Sequence, residues 1–466
     1  MISANRLRDS YDVIVAGGGV SGVAATLAAA RLGASVLVVE RYGFLGGMAT
    51  AGLVGPFMTD HFGDQRVVGG VFQEIVDRLV TLDGSTGPMR CPYPGGGTYG
   101  TGGTITVFDP ILLRWLFQEM VLEAGADVLY HSAVLDALKS EDRVTGIVAC
   151  NRSGQRVFSA KAVVDCTGDG DVLALAGAKW ESGRASDGLT QPATLFFRMG
   201  GIDGATLRQY MRENPADFGW MTFPVAARTL PTWMEQEPFA GSGFYSIIRQ
   251  GRESGELRLG RERITFFSEL RRGEVRLNAT RVSGIDATRA EDLTNAEVEG
   301  MRQVESLQAF LRKCVPGFAD AYVIAVATQV GVRESRRVMG EYVLTADDVL
   351  HGRVFDDAIA CASYPIDIHQ PDGAGNSWRE LQAPYTIPYR CLLPQGLRGL
   401  LVAGRAISAT SEAMASARVM PTATAVGEAA GTGAAMAARR GPDLRDIDVR
   451  ELQEQLRRQG ACVTPA

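Results

Sequence analysis

The sequence is poor in the residues from which disulfide frameworks and metal sites are built. Its 466 residues include seven cysteines, an odd number, and these are widely spaced along the chain. They form no C-x-x-C pair and no cluster with the four histidines. This pattern argues against a disulfide framework and against a zinc site. We therefore predict no metal site and expect a reducing, cytoplasmic environment.

Long basic runs and uninterrupted apolar runs are also missing. The formal net charge is −6, which argues against nucleic acid as a partner, and no Lys/Arg run suggests a membrane surface. Residues 13–30 form an uncharged stretch of 18 residues, the lower limit for a membrane span. Three consecutive glycines interrupt that stretch, and the polar N-terminal segment MISANRLRDS has no signal-peptide pattern. We therefore expect no membrane association.

The sequence is organised around residues 11–40, YDVIVAGGGVSGVAATLAAARLGASVLVVE. A buried strand is predicted to lead into the pattern G-x-G-x-x-G at Gly17, Gly19 and Gly22, then into an Ala-rich helix and a second strand that ends at Glu40. Gly17 permits the tight turn, Gly19 lets a pyrophosphate approach the backbone, and Gly22 lets the helix pack on the strand. Glu40 follows the last glycine by 18 residues, where an acid can bind ribose hydroxyls. This arrangement predicts a dinucleotide site.

A second match to the glycine pattern lacks this context. Residues 95–100 read GGGTYG, but prolines precede them and further glycines follow. Without a strand before it and a helix after it, the match does not indicate a second nucleotide site. We interpret it as a loop that is mobile or covers a ligand.

Several later segments also suggest backbone close to a ligand. Gly46 and Gly47 follow the second strand, with an ordinary turn as the alternative interpretation. A strand beginning near Ala162 is predicted to end at the acidic segment 167–171, and a strand over 397–403 to end at Gly404. Pro421 suits the start of a helix of small residues through Ala438.

Other helices and strands are predicted from periodicity and turn residues. Helices are expected over 71–81, from Pro110 with Asp109 as N-cap, over 295–313, and near the C-terminus after Asp448. Separate strands are expected over 127–130, 134–138, 144–150 and 156–158, and a hairpin over 264–277. The region after Ala176 differs in character from the first, and we assign it to a substrate domain.

These segments together resemble the FAD-dependent oxidoreductase family, within the glutathione-reductase type of flavoprotein. Besides the N-terminal pattern, the resemblance rests on GVRESRRVMGEYVLT (331–345), YPIDIH (364–369), YTIPYRCLLP (385–394) and LLVAGRAISATSEAMASARVMPTATAVGEAAG (400–431). It implies an α/β fold with a discontinuous Rossmann-like FAD-binding domain, residues 1–175 and 384–441. It also implies an interposed mixed α+β substrate or cap domain, residues 176–383, followed by a C-terminal helix and tail, residues 442–466.

The resemblance implies bound FAD, and departures from relatives narrow the chemistry. No Cys-x4-Cys pair follows the glycine pattern, so the chain does not resemble a disulfide reductase. No second strand–glycine–helix unit exists, which argues against a dedicated NAD(P)H domain. No histidine occurs in residues 41–50, so noncovalent FAD is expected, with His61 left open as an attachment point. The residues predicted to bind FAD are Gly17, Gly19, Ser21, Gly22, Glu40, Arg41, Gly46, Gly47, Met48, Thr50, Val134, Thr167, Gly168, Asp169, Gly404, Arg405, Pro421 and Thr422.

Arg333 is the first of four candidate catalytic residues. With Arg336 and Arg337 it is predicted to share one helical face that could bind a carboxylate. The alternative is that these arginines pair with Glu334 and Glu341.

Glu412, Arg418 and His369 complete the candidate set. Glu412 and Arg418 precede the last cofactor helix and are predicted to face the flavin, with a mutual ion pair as the alternative. His369 could accept or deliver a proton near neutral pH. A structural histidine with satisfied hydrogen bonds is the alternative.

The predicted function is hydride transfer between flavin N5 and a small organic substrate. A flavin monooxygenase supplied by external or transiently bound reductant is one alternative. A flavin-binding structural or sensor protein without turnover is another. NAD(P)H or oxygen as redox partner, and assembly into a homo-oligomer, stay open.

Overall fold

The computed structural model describes residues 7–91, 103–222, 238–373, 375–441 and 443–465. The second glycine-rich match, residues 95–100, lies outside the described residues. No helix in the described ranges is both long and apolar enough to cross a membrane.

Helices occur throughout the described chain. They are α1 (Val20–Arg31), α2 (Gly70–Thr81), α3 (Pro110–Glu123), α4 (Asp171–Leu175), α5 (Gly204–Glu213), α6 (Tyr245–Glu253), α7 (Ala290–Cys314), α8 (Ala346–Leu350), α9 (Ser411–Ala417), α10 (Met420–Arg440) and α11 (Val449–Arg458).

The strands fall into one large parallel-containing sheet, one antiparallel sheet and several small ones. They are β1 (Ser10–Ala16), β2 (Val36–Val39), β3 (Phe57–Met58), β4 (His61–Phe62), β5 (Gln65–Arg66), β6 (Met89–Cys91), β7 (Gly103–Thr106), β8 (Asp127–Leu129), β9 (Ala133–Ser140), β10 (Arg143–Asn151), β11 (Gly154–Asp165), β12 (Trp180–Glu181), β13 (Phe197–Gly200), β14 (Phe218–Thr222), β15 (Ala240–Gly243), β16 (Ile264–Ser268), β17 (Val275–Asn278), β18 (Tyr322–Val326), β19 (Arg337–Val338), β20 (Ala358–Ala362), β21 (Ile366–His369), β22 (Asn376–Arg379), β23 (Tyr385–Pro388) and β24 (Leu400–Val402).

The first sheet carries the predicted dinucleotide unit. Its strand order is β8–β2–β1–β11–β10–β9, and β24 also pairs with β11. The pairs among β8, β2, β1, β11 and β24 are parallel, whereas β10 is antiparallel to both β9 and β11. β11 is one continuous strand where two separate strands were predicted. Its first half pairs with β10 and its second half pairs with β1. The two predicted strands are therefore parts of one element.

Side chains of β1 alternate between the two faces of this sheet. Val13 and Val15 join the core formed with α1 and α10, whereas Ile14 and Ala16 join a second core on the opposite face. The predicted helix of small residues is confirmed as α10. A Cβ at Gly427 would lie 2.1 Å from the carbonyl oxygen of Ser21, so glycine at this position lets α10 pack directly on the backbone of α1.

The second sheet lies in the central part of the chain. It has the antiparallel order β14–β15–β16–β17–β13–β18 and shares a hydrophobic core with α5, α6 and α7. The predicted hairpin over 264–277 and the predicted helix over 295–313 are confirmed as β16–β17 and the longer α7. Leu344, Ile366 and Leu381, which the predicted boundaries assign to the interposed domain, pack in the core of α1 and α10. The domain boundaries themselves stay a prediction.

Candidate functional site

The glycine turn between β1 and α1 has the geometry that its sequence requires. Gly17 has φ +93°, a conformation that favours glycine. A Cβ at Gly22 would lie 1.9 Å from the carbonyl oxygen of Gly17, so α1 can pack here only with glycine. A Cβ at Gly19 would meet only the Cα of Gly47, at 4.0 Å. Gly19, the second glycine of the pattern, therefore leaves room for a ligand.

Glu40, at the end of β2, is buried at the same turn. Its carboxylate accepts hydrogen bonds from the backbone N–H groups of Gly18 at 2.7 Å and Tyr42 at 2.9 Å. Burial raises the pKa of Glu40, and the two backbone hydrogen bonds oppose that shift. Each carboxylate oxygen still has a lone pair for a hydroxyl donor. The side chain is therefore held in place and can also accept hydrogen bonds from a ribose.

A cavity of about 620 Å³ opens in front of this turn and gathers most of the predicted FAD-binding residues. The predicted residues on its wall are Gly17, Gly19, Ser21, Glu40, Arg41, Gly47, Met48, Val134, Thr167, Gly168, Asp169, Gly404 and Arg405. Those that are not on its wall are Gly22, Gly46, Thr50, Pro421 and Thr422. Gly22 serves the packing of α1, and Thr50 donates to the carbonyl of Leu45 at 2.8 Å.

An ion pair fixes the floor of the cavity beyond β11. Arg405 Nη2 lies 2.7 Å from Asp169 Oδ1, and Ser335 also donates to that oxygen at 2.7 Å. Arg405 donates to the carbonyl of Val332 as well. These bonds tie the carboxyl ends of β11 and β24 to the segment that follows β18. Arg405 and Asp169 therefore shape the floor as well as lining it.

The opposite wall comes from residues that the sequence analysis did not single out. Leu293 and Glu297 of α7, Thr328 to Val330 and Val332 line the cavity from the central part of the chain. Tyr42 and Arg41 both donate to Gln329 Oε1, at 2.5 Å and 2.7 Å. The central region is thereby bonded to the segment after β2. Residues 328–330 directly precede the GVRESRR motif. Their position beside that motif is the feature of the sequence that could have indicated a role at the site.

The N-terminus of α10 contributes to the wall of the cavity. Met420 and Ala423 line it, and the first turn of α10 contains no acidic residue. The hydroxyl of Thr422 is buried and has no hydrogen-bond partner in the described part of the chain. Unpaired N–H groups and the positive end of the helix dipole suit a ligand with negative charge. The space at Gly19, the held carboxylate of Glu40 and this helix end fit FAD.

Arg418 is the candidate catalytic residue that lines the cavity. Its Nη2 lies 3.1 Å from the backbone oxygen of Asp367 and 3.8 Å from the Asp367 carboxylate. Arg418 is therefore paired with Asp367, not with Glu412, the alternative in the sequence analysis. Glu412 lies in the first turn of α9 and does not line the cavity; its catalytic role stays a prediction.

The helical face predicted for Arg333, Arg336 and Arg337 is wrong. Residues 332–336 have no regular secondary structure, and Arg337 begins the two-residue strand β19. Without a helix the three side chains contact different partners. Arg333 donates to the carbonyl of Pro192 at 2.5 Å, Arg336 contacts Asp171 at 3.2 Å and Arg337 pairs with Glu334. The alternative of pairing with Glu334 therefore holds for Arg337. The role of Arg333 stays a prediction.

His369 lies one side chain behind the cavity wall. It is 5% exposed, and its Nε2 is 3.3 Å from Asp367 Oδ2. Burial, with the positive charge of Arg333, lowers the pKa of His369 well below its ordinary value. The surroundings therefore disfavour the protonated imidazole. Asp367, within the YPIDIH motif but not singled out, connects His369 to Arg418.

A family model described as FAD dependent oxidoreductase matches residues 12–456 of the chain. Among curated proteins, the chain is similar to a thiamine thiazole synthase of Methanococcus aeolicus, with 30% identity over 169 residues, 34% of this chain and 54% of that protein. A second thiamine thiazole synthase, of Aeropyrum pernix, is 33% identical over 137 residues, 29% of this chain and 43% of that protein. The chain spans about half the length of these curated relatives.

Among solved structures, the chain is similar to a geranylgeranyl bacteriochlorophyll reductase-like protein from Thermoplasma acidophilum. The superposition has a TM-score of 0.49 at 14% identity, and it covers 97% of this chain and 84% of that protein.

Proposed function

The chain belongs to the FAD dependent oxidoreductase family, and from this premise we propose that it transfers a hydride between FAD and a small organic substrate. Family membership confirms the prediction of an FAD-dependent oxidoreductase and of FAD as its cofactor. The hydride step, the glutathione-reductase type of the fold and the substrate belong to the proposal.

One observation carries the proposal. A single cavity joins the glycine turn and Glu40, which suit the dinucleotide, to Arg418 and the N-terminus of α10. Its remaining wall comes from the central part of the chain, including Glu297. A nucleotide-binding end and a polar end in one space are what a flavoenzyme needs to bring cofactor and substrate together.

The chain's own residues would divide the work along this cavity. Backbone N–H groups at the start of α1 bind phosphate, and Glu40 binds ribose hydroxyls. FAD, when bound, supplies the acceptor or donor for the hydride. The first turn of α10 stabilises negative charge at its end of the cavity. Arg418 orients a polar group of the substrate, and His369 is available as a proton acceptor or as a positioning residue through Asp367.

Anaerobic mixing of the purified protein with a panel of small organic substrates tests this function. Bleaching of the flavin absorbance near its visible maxima by one compound class is the expected result. NAD(P)H consumption coupled to oxygen insertion would instead indicate a monooxygenase, and flavin that responds to neither would indicate a non-catalytic protein.

Acid precipitation in the same preparation tests noncovalent binding, because flavin retained on the pellet would contradict it.

The expected partners and the cytoplasmic location stay part of the proposal. They comprise a small-molecule substrate, NAD(P)H or oxygen as redox partner, and a homo-oligomer, with no nucleic acid and no membrane. Size-exclusion chromatography and steady-state oxygen consumption address the oligomer and the electron acceptor directly.

A further inference from the structure

Positive charge is concentrated in the interior around the hairpin β21–β22. Arg261 is 2% exposed, Arg333 is 8% exposed, and the side chain of Arg418 is 15% exposed. Asp367 is the carboxylate of this hairpin that approaches Arg418. Burying charges without balancing them is costly, so an interior with several guanidinium groups around one carboxylate favours an additional anion.

The acceptors that hold these arginines are mostly neutral. Arg261 Nη1 donates to the backbone and side-chain oxygens of Asn278, both at 2.7 Å, and Arg333 Nη1 donates to Pro192 O at 2.5 Å. Arg418 donates to the backbone oxygen of Asp367 at 3.1 Å. Carbonyl and amide oxygens fix the orientation of a guanidinium but do not cancel its charge. The three guanidinium groups are therefore held in fixed orientations without being neutralised by these acceptors.

Several buried hydrogen-bond donors of these residues have no acceptor. Within the described part of the chain, the Nε atoms of Arg261 and Arg418 and the Nε2 atom of Gln191 are buried without a partner. Gln191 is 3% exposed, and its Oε1 accepts from the backbone N–H of His369 at 3.1 Å, so it lies against the same hairpin. Three buried donors without an acceptor call for a ligand with several acceptor oxygens.

The electrostatics agree with this geometry. Burial lowers the pKa of Arg333 well below its ordinary value, and the charges of Arg418 and Arg261 add to that effect. Burial lowers the pKa of Arg261 to about 9. These guanidinium groups therefore lie close enough to destabilise one another, and a bound anion would relieve the repulsion.

We propose that the organic substrate of this flavoenzyme is a carboxylate whose oxyanion binds Arg418 at the cavity wall, while Arg261, Arg333 and Gln191, which do not line the cavity, add positive charge and an unused donor to its surroundings. This inference rests on the proposed function, since it names the substrate class for the same cavity. Arg418 and the phosphate-binding turn at Gly17 line the same cavity from different elements, and the FAD content of Arg418→Gln distinguishes a substrate anion from the cofactor's pyrophosphate. A planar guanidinium matches the two oxygens of a carboxylate bidentately. Asp367 and His369 act as positioning residues for Arg418.

The test uses the FAD-loaded protein and measures binding by perturbation of the flavin absorbance. The probes are acetate, succinate, the neutral analogue succinamide, and inorganic phosphate. We expect succinate to bind and succinamide not to bind. Arg418→Gln should weaken succinate binding by about 10- to 100-fold, the usual effect of losing a charge-assisted hydrogen bond. Arg333→Gln should weaken it less, because Arg333 does not line the cavity and acts through its charge alone. Because Arg333 is fully enclosed, Arg418→Gln at the cavity wall is the variant to rely on if Arg333→Gln misfolds.

Arg390→Gln is the matched control. Arg390 pairs with Asp357 at 2.9 Å, its side chain is 45% exposed, and it does not line the cavity. It should leave succinate binding unchanged. Equal succinate affinity in the wild type, Arg418→Gln and Arg390→Gln would overturn the proposal, as would tighter binding of inorganic phosphate than of either carboxylate. Loss of FAD itself in Arg418→Gln would also overturn it, by assigning Arg418 to the cofactor.

The outcomes separate this inference from the proposed function. If a neutral compound bleaches the flavin and no carboxylate binds, the hydride-transfer function stands and the carboxylate inference fails. If succinate binds in an arginine-dependent way but no compound reduces the flavin, the anion site stands and the proposed function fails.

Discussion

Two regions of the molecule each bury an aspartate, but one region favours its protonated form and the other its ionised form. At the end of β11, Asp165 is fully buried and accepts hydrogen bonds from the N–H and hydroxyl of Thr167 and from the N–H of Leu173. In β21, Asp367 lies among His369, Arg418 and Arg333. Burial raises the pKa of Asp165 to about 6. Burial acts in the same direction on Asp367, but His369 and Arg418 outweigh it and hold the pKa well below its usual range.

The difference distinguishes two modes of recognition within one protein. The turn of β1 and α1 and the end of β11 present backbone N–H groups and small residues, a surface of dipoles that suits phosphate and ribose. Around Asp367 of the hairpin β21–β22, Arg333 and Arg418 present full charges on long side chains, which suits a charged organic ligand. The first region depends on backbone geometry and the second on charge balance, so substitutions should affect them differently.

Asp367→Asn should have the largest effect on the free energy of unfolding. The amide keeps the shape but removes the negative charge, leaving Arg418 and Arg333 without it. Removing one partner of a buried ion pair typically costs about 3–5 kcal/mol. Urea denaturation at pH 7 measures the loss. Because the pKa of Asp367 is depressed in the folded state, its contribution is present above about pH 4 and is lost as the pH falls further, so wild type and variant should converge in acid.

Asp357→Asn is the control for that prediction. Asp357 pairs with Arg390 at 2.9 Å, and its side chain is 18% exposed whereas that of Arg390 is 45% exposed. Because Arg390 is largely solvated, this ion pair should be worth only about 0–1 kcal/mol. If both asparagine variants lower the free energy of unfolding by the same small amount, Asp367 does not balance a buried cluster of positive charge. The contrast drawn between the two regions would then be wrong.

Asp165→Asn should reveal the opposite pH dependence. The folded-state pKa of Asp165 is raised to about 6, so between about pH 4 and 6 the folded protein binds more protons than the unfolded chain. Stability from this group therefore falls as the pH rises, by about 3 kcal/mol in total. The stability of the variant should not show this decrease with pH, because asparagine does not titrate. The variant should, however, lack the hydrogen bond from Leu173 N at every pH. Parallel unfolding free energies for wild type and variant from pH 4 to 8 would contradict the assignment.

The first of these regions could be predicted from the sequence because it is local. Strand, glycines, helix, strand and Glu40 follow one another within thirty residues, and each glycine has a steric reason at its own position. The same holds for Asp109 as the N-cap of α3, which accepts from Ile111 N and Leu112 N. Such signals depend on neighbours in the chain, so the sequence contains all the information they require.

The second region could not be predicted because its parts are far apart in the chain. Arg333 follows β18 and Arg418 precedes α10, and only the tertiary structure brings their charges near Asp367 of β21. The spacing of the arginines in the motif at residues 331–345 predicts a helical face, whereas residues 332–336 have no regular secondary structure. Asp367 lies in a noticed motif, yet nothing in the sequence indicates that its charge faces several arginines.

Gly22→Ala should destabilise the backbone-dependent region. Its Cβ would lie 1.9 Å from the carbonyl oxygen of Gly17, and backbone cannot yield as a flexible side chain can. Overpacking of this kind costs about 1–3 kcal/mol, occasionally more. Gly260→Ala is the matched control, since a Cβ there meets nothing within 4 Å. Thermal unfolding of the two apoproteins measures the difference; equal midpoints would mean that α1 can shift to admit a side chain.

Gly19→Val should have the smallest effect on stability and should still abolish the cofactor site. Gly19 has φ −67° and ψ −176°, an extended conformation that valine adopts readily, and a Cβ there meets only open space towards Gly47. Replacing a glycine N-cap by valine should lower the apoprotein's free energy of unfolding by no more than about 1 kcal/mol. The branched side chain would nevertheless occupy the space through which a pyrophosphate approaches the backbone. The variant should therefore purify folded and colourless, with Gly19→Ala intermediate in the ratio of flavin to protein absorbance. A folded Gly19→Val protein with normal FAD content would show that the cofactor does not use this turn.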